Sequence, residues 1–279
     1  MTKRISIIGC GSIGTEILLS LKRGDIPNAA VFSVFDIKVE AVKQVLKELG
    51  DANIEVFTDF EDLLNSSTFA LTDIVIEAAS KVAVKEYGKK ILASGKKFVT
   101  LSSGAFQDNC LLSELLQVAE KKKGSLIIPT GAIAGLDAIR SVRRNLSELS
   151  ITTTKNPSAL LGAPFFRDSQ IKLEQIREKT VLFEGSAAEA ISKFPANVNV
   201  AVTLALAGLG LHKTRVRIVV DPEIVVNQHE IYASGGFGEI SITTRNNPMI
   251  TNPKTSALAA FSAIETIRGL CFDSFRVGS

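Results

Sequence analysis

The chain has 279 residues and a formal net charge of +3, so its charge predicts neither a nucleic-acid partner nor attraction to an anionic membrane. A hydrophobic content of 46% and a charged content of 22% are typical of a soluble globular protein and exclude a disordered one. Its three cysteines and two histidines argue against a disulfide framework and against a metal site, and they favour a protein of the reducing cytoplasm.

The first half of the chain alternates predicted strands with predicted helices. The apolar runs expected to form strands cover residues 4–8, 30–35, 54–57, 72–78, 97–101 and 125–129. The segments with helical periodicity cover residues 15–22, 39–49, 82–93 and 110–123. Strands this apolar, joined through helices, are typical of a parallel sheet buried on both faces, and they predict an α/β fold.

The pattern changes after about residue 131. The expected strands are now 149–155, 180–183, 214–220, 230–233 and 238–244, and several of them alternate polar with apolar residues. The expected helices are 186–192, 197–209 and 255–270. Such alternation indicates a sheet with one wet face, so we predict a second domain of the α+β class. Residues 156–167 contain two prolines and form a candidate mobile loop.

One uncharged stretch, residues 194–211, is about as long as the shortest membrane span. It contains a proline, two asparagines and two glycines, and asparagine is costly in lipid. We therefore predict a buried helix of a soluble protein and no membrane span. The short apolar run after Arg4 leads directly into glycines and is not expected to be a signal peptide.

The motif Gly9-Cys-Gly-Ser-Ile-Gly14 follows the first predicted strand and opens the first predicted helix, which is the context of a dinucleotide-binding turn. Its glycines permit a tight turn, a close approach of the backbone to a pyrophosphate, and close helix–strand packing. The pyrophosphate lies at the helix amino terminus, where N–H groups favour an anion. We predict cofactor contacts from Gly9, Gly11, Ser12, Ile13 and Gly14. The alternative is a turn that merely requires glycine.

Asp36 ends the second predicted strand, 22 residues after Gly14. A carboxylate in this place accepts hydrogen bonds from the adenosine ribose hydroxyls and favours NAD over NADP. Lys38 follows two residues later and could pair with a 2′-phosphate, so we expect NAD or NADP as the cofactor. An exposed strand-end aspartate without a ligand is the alternative.

Small and polar residues follow the predicted strands 72–78 and 97–101. Because ligands of open α/β sheets bind beyond the carboxyl ends of the strands, these segments would line the nicotinamide side of the cofactor. The contacts predicted there come from Ala78, Ala79, Ser80, Ser103 and Gly104. Ordinary strand–helix turns explain each of these residues equally well.

His229 stands just before the predicted strand 230–233 and the glycine-rich turn 234–238. A histidine beside a nicotinamide can polarise a carbonyl or shuttle a proton near neutral pH, although strand histidines are more often structural. The other histidine, His212, falls between an apolar helix and a charged strand, where we predict a solvated turn.

Other polar residues are candidates for ligand contacts. Asn199 lies in an apolar run, and a buried amide needs partners, so it either caps the helix or reaches a ligand. Lys155 and Lys254 are candidate cations for a substrate carboxylate, with ordinary surface lysines as the alternative. Residues 252–256 are similar to a helix cap and introduce the last helix.

Several long segments in the same order make the chain similar to the L-aspartate dehydrogenase family over nearly its whole length. These segments are residues 9–14, 131–138, 183–190, 194–201, 221–222, 227–229 and 252–256. The resemblance implies an N-terminal Rossmann dinucleotide-binding domain (residues 1–130 plus 252–279) and a C-terminal α+β domain (131–251) that carries catalysis and dimerisation. The departures are His212, where the family leads us to expect an acidic residue, and a longer segment around 156–176.

The family's catalytic histidine falls on His229, and its NAD contacts include Ala132 and Asn199. The implied reaction is oxidation of the CH–NH2 group of L-aspartate by NAD(P)+ to iminoaspartate, which water converts to oxaloacetate and ammonia. His229 would orient the amino acid and support proton transfer, while Asn199, Lys155 and Lys254 would bind it. The implied setting is a cytoplasmic homodimer that supplies iminoaspartate for NAD biosynthesis.

Two other classes of protein remain open. Another two-domain NAD(P)-dependent enzyme, of the homoserine dehydrogenase or dihydrodipicolinate reductase type, would share this build. A non-catalytic redox sensor that holds NAD would show no turnover and would be indifferent to the loss of His229.

Overall fold

The computed structural model describes residues 2–50, 54–169, 171–195 and 198–272, without the side chains of Asp168, Pro253 and Lys254. The chain divides into two compact units. The first unit runs to Pro129 and also includes the segment that starts at Ala260, and the second comprises Thr130–Ala259.

The first unit contains a six-stranded parallel sheet with helices between the strands. Its strands are β1 (Lys3–Ile8), β2 (Ala29–Phe35), β3 (Glu55–Phe57), β4 (Ile74–Glu77), β5 (Lys97–Thr100) and β6 (Ser125–Ile127). Its helices before residue 130 are α1 (Ser12–Arg23), α2 (Val39–Leu49), α3 (Phe60–Asn65), α4 (Ser67–Leu71), α5 (Lys81–Ala93) and α6 (Asn109–Lys122). The strand order is β3-β2-β1-β4-β5-β6, so the order reverses between β1 and β4. A crevice at the carboxyl ends of those two strands is where such a sheet binds its ligand.

The second unit contains a mixed five-stranded sheet and a short hairpin. Its strands are β7 (Leu146–Lys155), β8 (Thr180–Ser186), β9 (Arg215–Val220), β10 (Asn227–Gly235), β11 (Gly238–Asn246), β12 (Pro248–Met249) and β13 (Asn252–Ser256). Its helices are α7 (Leu136–Val142), α8 (Phe165–Asp168), α9 (Ala187–Lys193) and α10 (Asn199–Ala207). The strand order is β11-β10-β7-β9-β8, in which only β7 and β9 pair in parallel. The predicted α/β fold with a second α+β region is confirmed.

The last helix, α11 (Ala257–Cys271), completes the core of the first unit. Its Ala263, Ile267 and Cys271 belong to the same buried cluster as the apolar residues of β1, β2, β4 and α1. The cluster is built from side chains that are almost all below 10% exposed, and burial of this kind is the main stabilising term of the fold. In the part of the chain that the structure describes, no helix is long and apolar enough to cross a membrane.

Two local predictions differ from the structure. Residues 252–256, expected as a helix cap, form strand β13, because pairing with β12 satisfies their backbone instead. This strand lies in the second unit, whereas the sequence analysis placed the chain from residue 252 onward in the first domain.

The candidate mobile loop 156–167 contains a 3-10 helix, Pro157–Leu160, and the start of α8. Leu160 is fully buried, and the ring of Phe165 stacks on Phe194 at 5.0 Å between centroids. The Asn156 side chain donates to the carbonyls of Pro222 and Ile224, so the segment is anchored at its first residue.

Candidate active site

The glycine loop of the first unit has the three-part geometry of a dinucleotide-binding turn. Gly9 has a φ of +101°, and a Cβ there would lie 2.7 Å from the carbonyl oxygen of Ala78. A Cβ on Gly14 would lie 1.9 Å from the carbonyl oxygen of Gly9, so α1 packs against the loop with no room for a side chain. A Cβ on Gly11 would meet nothing within 4 Å. The backbone therefore leaves open space at the one glycine where a pyrophosphate would approach.

The amino terminus of α1 suits an anion. Gly11 is its N-cap residue and supplies no side-chain hydrogen bond, and the first turn of the helix carries no acidic residue. Backbone N–H groups at such a terminus, together with the helix dipole, bind phosphate. Ser12 and Ile13 lie in this first turn, as the predicted pyrophosphate site requires.

Asp36 is held rigidly beside the glycine loop. Its Oδ2 accepts a hydrogen bond from the N–H of Cys10 at 2.8 Å, and its Oδ1 accepts one from the N–H of Lys38 at 2.9 Å. Each carboxylate oxygen has a further lone pair, so both can still accept from a ribose hydroxyl. A cavity of about 310 Å³ adjoins Asp36 and is also lined by Gly9, Ala79 and Ser80. These features fit a dinucleotide.

The segments after β4 and β5 differ in how much surface they offer. Ala78 pairs with Ile8 through its N–H, and Ala79 and Ser80 line the cavity beside Asp36. Ser103 and Gly104 lie buried in the 3-10 helix Ser103–Gln107 and present almost no surface to a ligand.

The second unit carries a cluster of polar side chains at one end of its sheet. Strands β10, β7 and β11 pair so that His229 lies opposite Thr153 on one side and Thr244 on the other. Because strand side chains alternate between faces, the residues two positions along each strand lie on the same face as His229 and form a second layer. The members of this polar cluster are Thr153, Lys155, Asn227, His229, Thr244 and Asn246. All are buried except Thr244, which is partly exposed.

Hydrogen bonds fix the polar cluster. Thr153 Oγ1 lies 3.0 Å from His229 Nδ1, so the ring is held through this nitrogen and Nε2 is the one that remains for a ligand. Thr244 Oγ1 and Asn246 Nδ2 both donate to the carbonyl oxygen of Ala132, at 3.2 and 2.7 Å. The cluster therefore includes the backbone at Ala132, which the family resemblance implies as an NAD contact.

Burial changes the ionisation of two cluster members. Burial lowers the pKa of His229 to about 3, with a smaller contribution from the charge of Lys155, so the ring is neutral at pH 7. From the sequence we expected a histidine that exchanges a proton near neutral pH, and the pKa of the buried ring is well below that range. Burial also lowers the pKa of Lys155 to about 8, so this ammonium is charged at pH 7 but close to its titration point.

The remaining candidates lie elsewhere or are not described. Asn199 is the first residue of α10 and is exposed, so the expectation of a buried amide is wrong. Its exposure leaves the side chain accessible to a ligand. Lys254 lies in β13, and its side chain is outside the described residues. His212 lies in an exposed turn, as predicted.

Thr153, Thr244 and Asn246 were not recognised as site candidates from the sequence. A period of two was the available signal, because Thr153 and Lys155, and likewise Thr244 and Asn246, recur on alternate strand positions. Alternation does not reveal which strands pair, so the cluster could not be assembled without the register.

Comparison with known proteins assigns both parts of the chain. A family model described as the C-terminal domain of aspartate dehydrogenase matches residues 137–270, and the NAD-binding domain model of homoserine dehydrogenase matches residues 9–129. An L-aspartate dehydrogenase of Nitrosopumilus maritimus is 42% identical over 277 residues, which cover 99% of this chain and 100% of the relative. The chain belongs to the L-aspartate dehydrogenase family. Its first unit is a Rossmann domain that binds NAD(P), as predicted.

A second curated relative and two solved structures are also similar to the chain. The L-aspartate dehydrogenase of Methanosarcina mazei is 39% identical over 266 residues, covering 95% of this chain and 96% of the relative. The crystal structure of aspartate dehydrogenase from Thermotoga maritima matches with a TM-score of 0.75 and 26% identity, covering 99% of this chain and all of that one. A hyperthermophilic archaeal homoserine dehydrogenase has a TM-score of 0.60 at 16% identity, which is a likeness of fold alone.

Proposed function

We propose that the chain is an L-aspartate dehydrogenase, which oxidises L-aspartate with NAD(P)+ to iminoaspartate and, with water, to oxaloacetate and ammonia. The observation that carries the proposal is the buried pair of His229 and Thr153, with Lys155 nearby on the same face. This pair lies in the unit whose sequence matches the C-terminal domain of aspartate dehydrogenase.

The first unit would hold the cofactor, which supplies the hydride acceptor when it is bound. Gly11 and the first turn of α1 would take the pyrophosphate, and Asp36 would accept hydrogen bonds from the adenosine ribose. Ala79 and Ser80 would border the cofactor through the cavity that they share with Asp36. These roles need no charged side chain at the pyrophosphate, because the backbone amides and the helix dipole provide the positive potential.

His229 would act as a neutral hydrogen-bonding and proton-transfer group. Its Nδ1 is engaged by Thr153, so Nε2 would orient the substrate amino group and later relay a proton as water adds to the imine carbon. A pKa of about 3 keeps the ring uncharged throughout the physiological range, and an uncharged ring can accept a hydrogen bond or donate one according to its tautomer.

Lys155 would bind a carboxylate of the substrate. Its ammonium is buried, and an anionic partner in a site of low polarity interacts more strongly than it would in water. A surface lysine would offer the same charge, but solvent and salt would screen it. Asn199 and Lys254 would provide further polar contacts to substrate or cofactor.

The decisive experiment is a panel of amino acids assayed with NAD+ and NADP+ by absorbance at 340 nm. L-Aspartate should be oxidised at a kcat/KM at least ~100-fold above that for homoserine. Aspartate has two carboxylates that a lysine can bind, whereas homoserine has a neutral hydroxyl in place of the second one. Cofactor binding without turnover of any amino acid would favour the redox sensor, and a preference for homoserine would favour the homoserine dehydrogenase type.

The wider setting belongs to the same proposal. We propose a homodimer located in the cytoplasm, with iminoaspartate passing to NAD biosynthesis, on the basis of the family resemblance. Light scattering coupled to gel filtration should give twice the chain mass of 29.9 kDa. A monomer that is fully active would contradict the dimer.

A further inference from the structure

A buried carboxylate stands at the point where the Rossmann sheet reverses its strand order. Glu77 is the last residue of β4 and has no exposed surface. The strand registers place it opposite Ile8 of β1 and Thr100 of β5, so it lies between the glycine loop and the turn after β5. An ionisable group in such a position is costly unless hydrogen bonds compensate for the lost water.

Five hydrogen bonds surround this carboxylate. Its Oε1 accepts from the N–H groups of Ala79 and Ser80, both at 2.8 Å, and from Ser102 Oγ at 2.8 Å. Its Oε2 accepts from Thr100 Oγ1 at 2.6 Å and from the N–H of Ser102 at 3.2 Å. Three of the donors are backbone N–H groups, which can only donate, so both oxygens of the carboxyl group must accept here. Burial raises the pKa of Glu77, and the hydrogen bonds from Thr100, Ser102 and Ala79 oppose that rise.

The hydrogen bonds join two separate turns. Ala79 and Ser80 form the turn from β4 into α5, and Ser80 also caps α5 by accepting from the N–H of Ala83 at 3.2 Å. Thr100 is the last residue of β5, and Ser102 lies in the turn from β5 into the following 3-10 helix. The Glu77 side chain thus accepts hydrogen bonds from residues on both sides and links the two turns directly.

The first of these turns forms one wall of the cofactor cavity. Ala79 and Ser80 line that cavity with Gly9 and Asp36, and the carbonyl of Ala78 fills the space where Gly9 would carry a side chain. A small movement of the turn would therefore change both the cavity and the support of the glycine loop. Glu77 itself, being fully buried, is not available to touch a ligand.

We propose that Glu77 is a positioning residue that presets the NAD(P) crevice by locking the turns after β4 and β5 together. The proposal rests on the proposed function, in which this crevice binds the cofactor. A turn that is already fixed loses no freedom when the ligand arrives, so the effect should fall on cofactor affinity more than on chemistry at saturation. A purely structural carboxylate would alter stability alone.

The test replaces the carboxylate without changing its shape. In Glu77→Gln, an NH2 group takes the place of one oxygen and faces the backbone N–H of either Ser102 or Ala79 and Ser80, so at least one donor is left without an acceptor. We expect the Kd of NAD+, measured by calorimetry, and the KM for NAD+ to rise about 10-fold. The kcat at saturating NAD+ should change less than about 3-fold, and so should the KM for aspartate.

Two further variants keep the test decisive if Glu77→Gln folds poorly. Thr100→Val removes one donor to the carboxylate and Thr100→Ser retains it, so the first should raise the Kd of NAD+ about 3-fold and the second should restore a value near wild type. The matched control is Ser33→Ala. Ser33 lies in β2, is buried in the same sheet and is hydrogen-bonded to Ser6 of β1 at 2.7 Å, so its loss should lower Tm and leave the Kd unchanged.

The outcomes separate this proposal from the function on which it rests. A Kd in Glu77→Gln within 2-fold of wild type, or equal increases in Thr100→Val and Thr100→Ser, would overturn the positioning role. An equal increase in Ser33→Ala would do the same, because it would reduce the effect to general destabilisation. A wild-type chain that binds NAD+ but does not reduce it with aspartate would overturn the proposed activity, and the Kd comparison would still decide the role of Glu77.

Discussion

Two glycine-to-alanine substitutions in the glycine loop, three residues apart, should separate an effect on cofactor binding from an effect on folding. Gly11→Ala puts its Cβ into space that no protein atom occupies within 4 Å, at a φ of −76° that alanine readily adopts. Gly14→Ala puts its Cβ 1.9 Å from the carbonyl oxygen of Gly9, where backbone must move. The two variants are chemically identical and differ only in what the methyl group meets.

The expected magnitudes follow from those contacts. Gly11→Ala changes an N-cap glycine to a weaker cap and should cost about 1 kcal/mol of folding free energy. It should also displace the pyrophosphate from the backbone amides, and the loss of one or two charge-assisted hydrogen bonds, about 3 kcal/mol, corresponds to a Kd about 100-fold higher. Gly14→Ala should cost about 3 kcal/mol or more through overpacking, which lowers Tm by roughly 10 °C.

The assay measures Tm by calorimetry and the Kd of NAD+ by titration on the same protein samples. Gly11→Ala should keep its Tm within about 4 °C of wild type and lose most of its affinity, whereas Gly14→Ala should lose its stability first. If Gly11→Ala binds NAD+ within about 3-fold of wild type, the pyrophosphate does not approach this glycine and the assignment of the loop is wrong.

Four further variants test the remaining roles. His229→Ala should lower kcat by about 10²- to 10⁴-fold with little change in the Kd of NAD+, and normal kcat in a less stable protein would show a purely structural histidine. Thr153→Val removes the hydroxyl that is hydrogen-bonded to His229 Nδ1. It should lower kcat about 10-fold, and the KM for aspartate should rise by less than about 10-fold. Because the Lys155 ammonium loses its charge above its pKa of about 8, the wild-type KM for aspartate should rise above that pH. Lys155→Met should have a high KM at every pH, and a KM that still rises above pH 8 would contradict the role. Asp36→Ala should weaken the binding of NAD+ more than the binding of NADP+, and an equal loss of affinity for both would place Asp36 away from the ribose.

Features encoded by neighbouring residues could be predicted from the sequence. The strand before Gly9, the helix after Gly11 and the acid at Asp36 follow from local periodicity and from a spacing that phosphate binding imposes. The same holds for the change to alternating strands in the second unit.

Features that depend on distant residues could not be predicted. Strand β13 looked like a helix cap because its partner β12 is recognisable only through pairing. The pKa of His229 was expected near neutrality because a sequence does not show how completely a side chain is buried. Nothing in the sequence singled out Glu77, since its donors come from two turns and the most distant of them, Ser102, lies 25 residues along the chain from it.

The division of the chain bears on the order in which the protein can fold during synthesis. The core of the first unit includes Ala263, Ile267 and Cys271, which the ribosome adds only after the whole of the second unit has been made. Until then, the apolar surface that these residues cover is left open on an otherwise complete sheet. Nascent chains arrested before Ala260 should therefore expose a hydrophobic surface to chaperones, even though all six strands of the sheet have been synthesised.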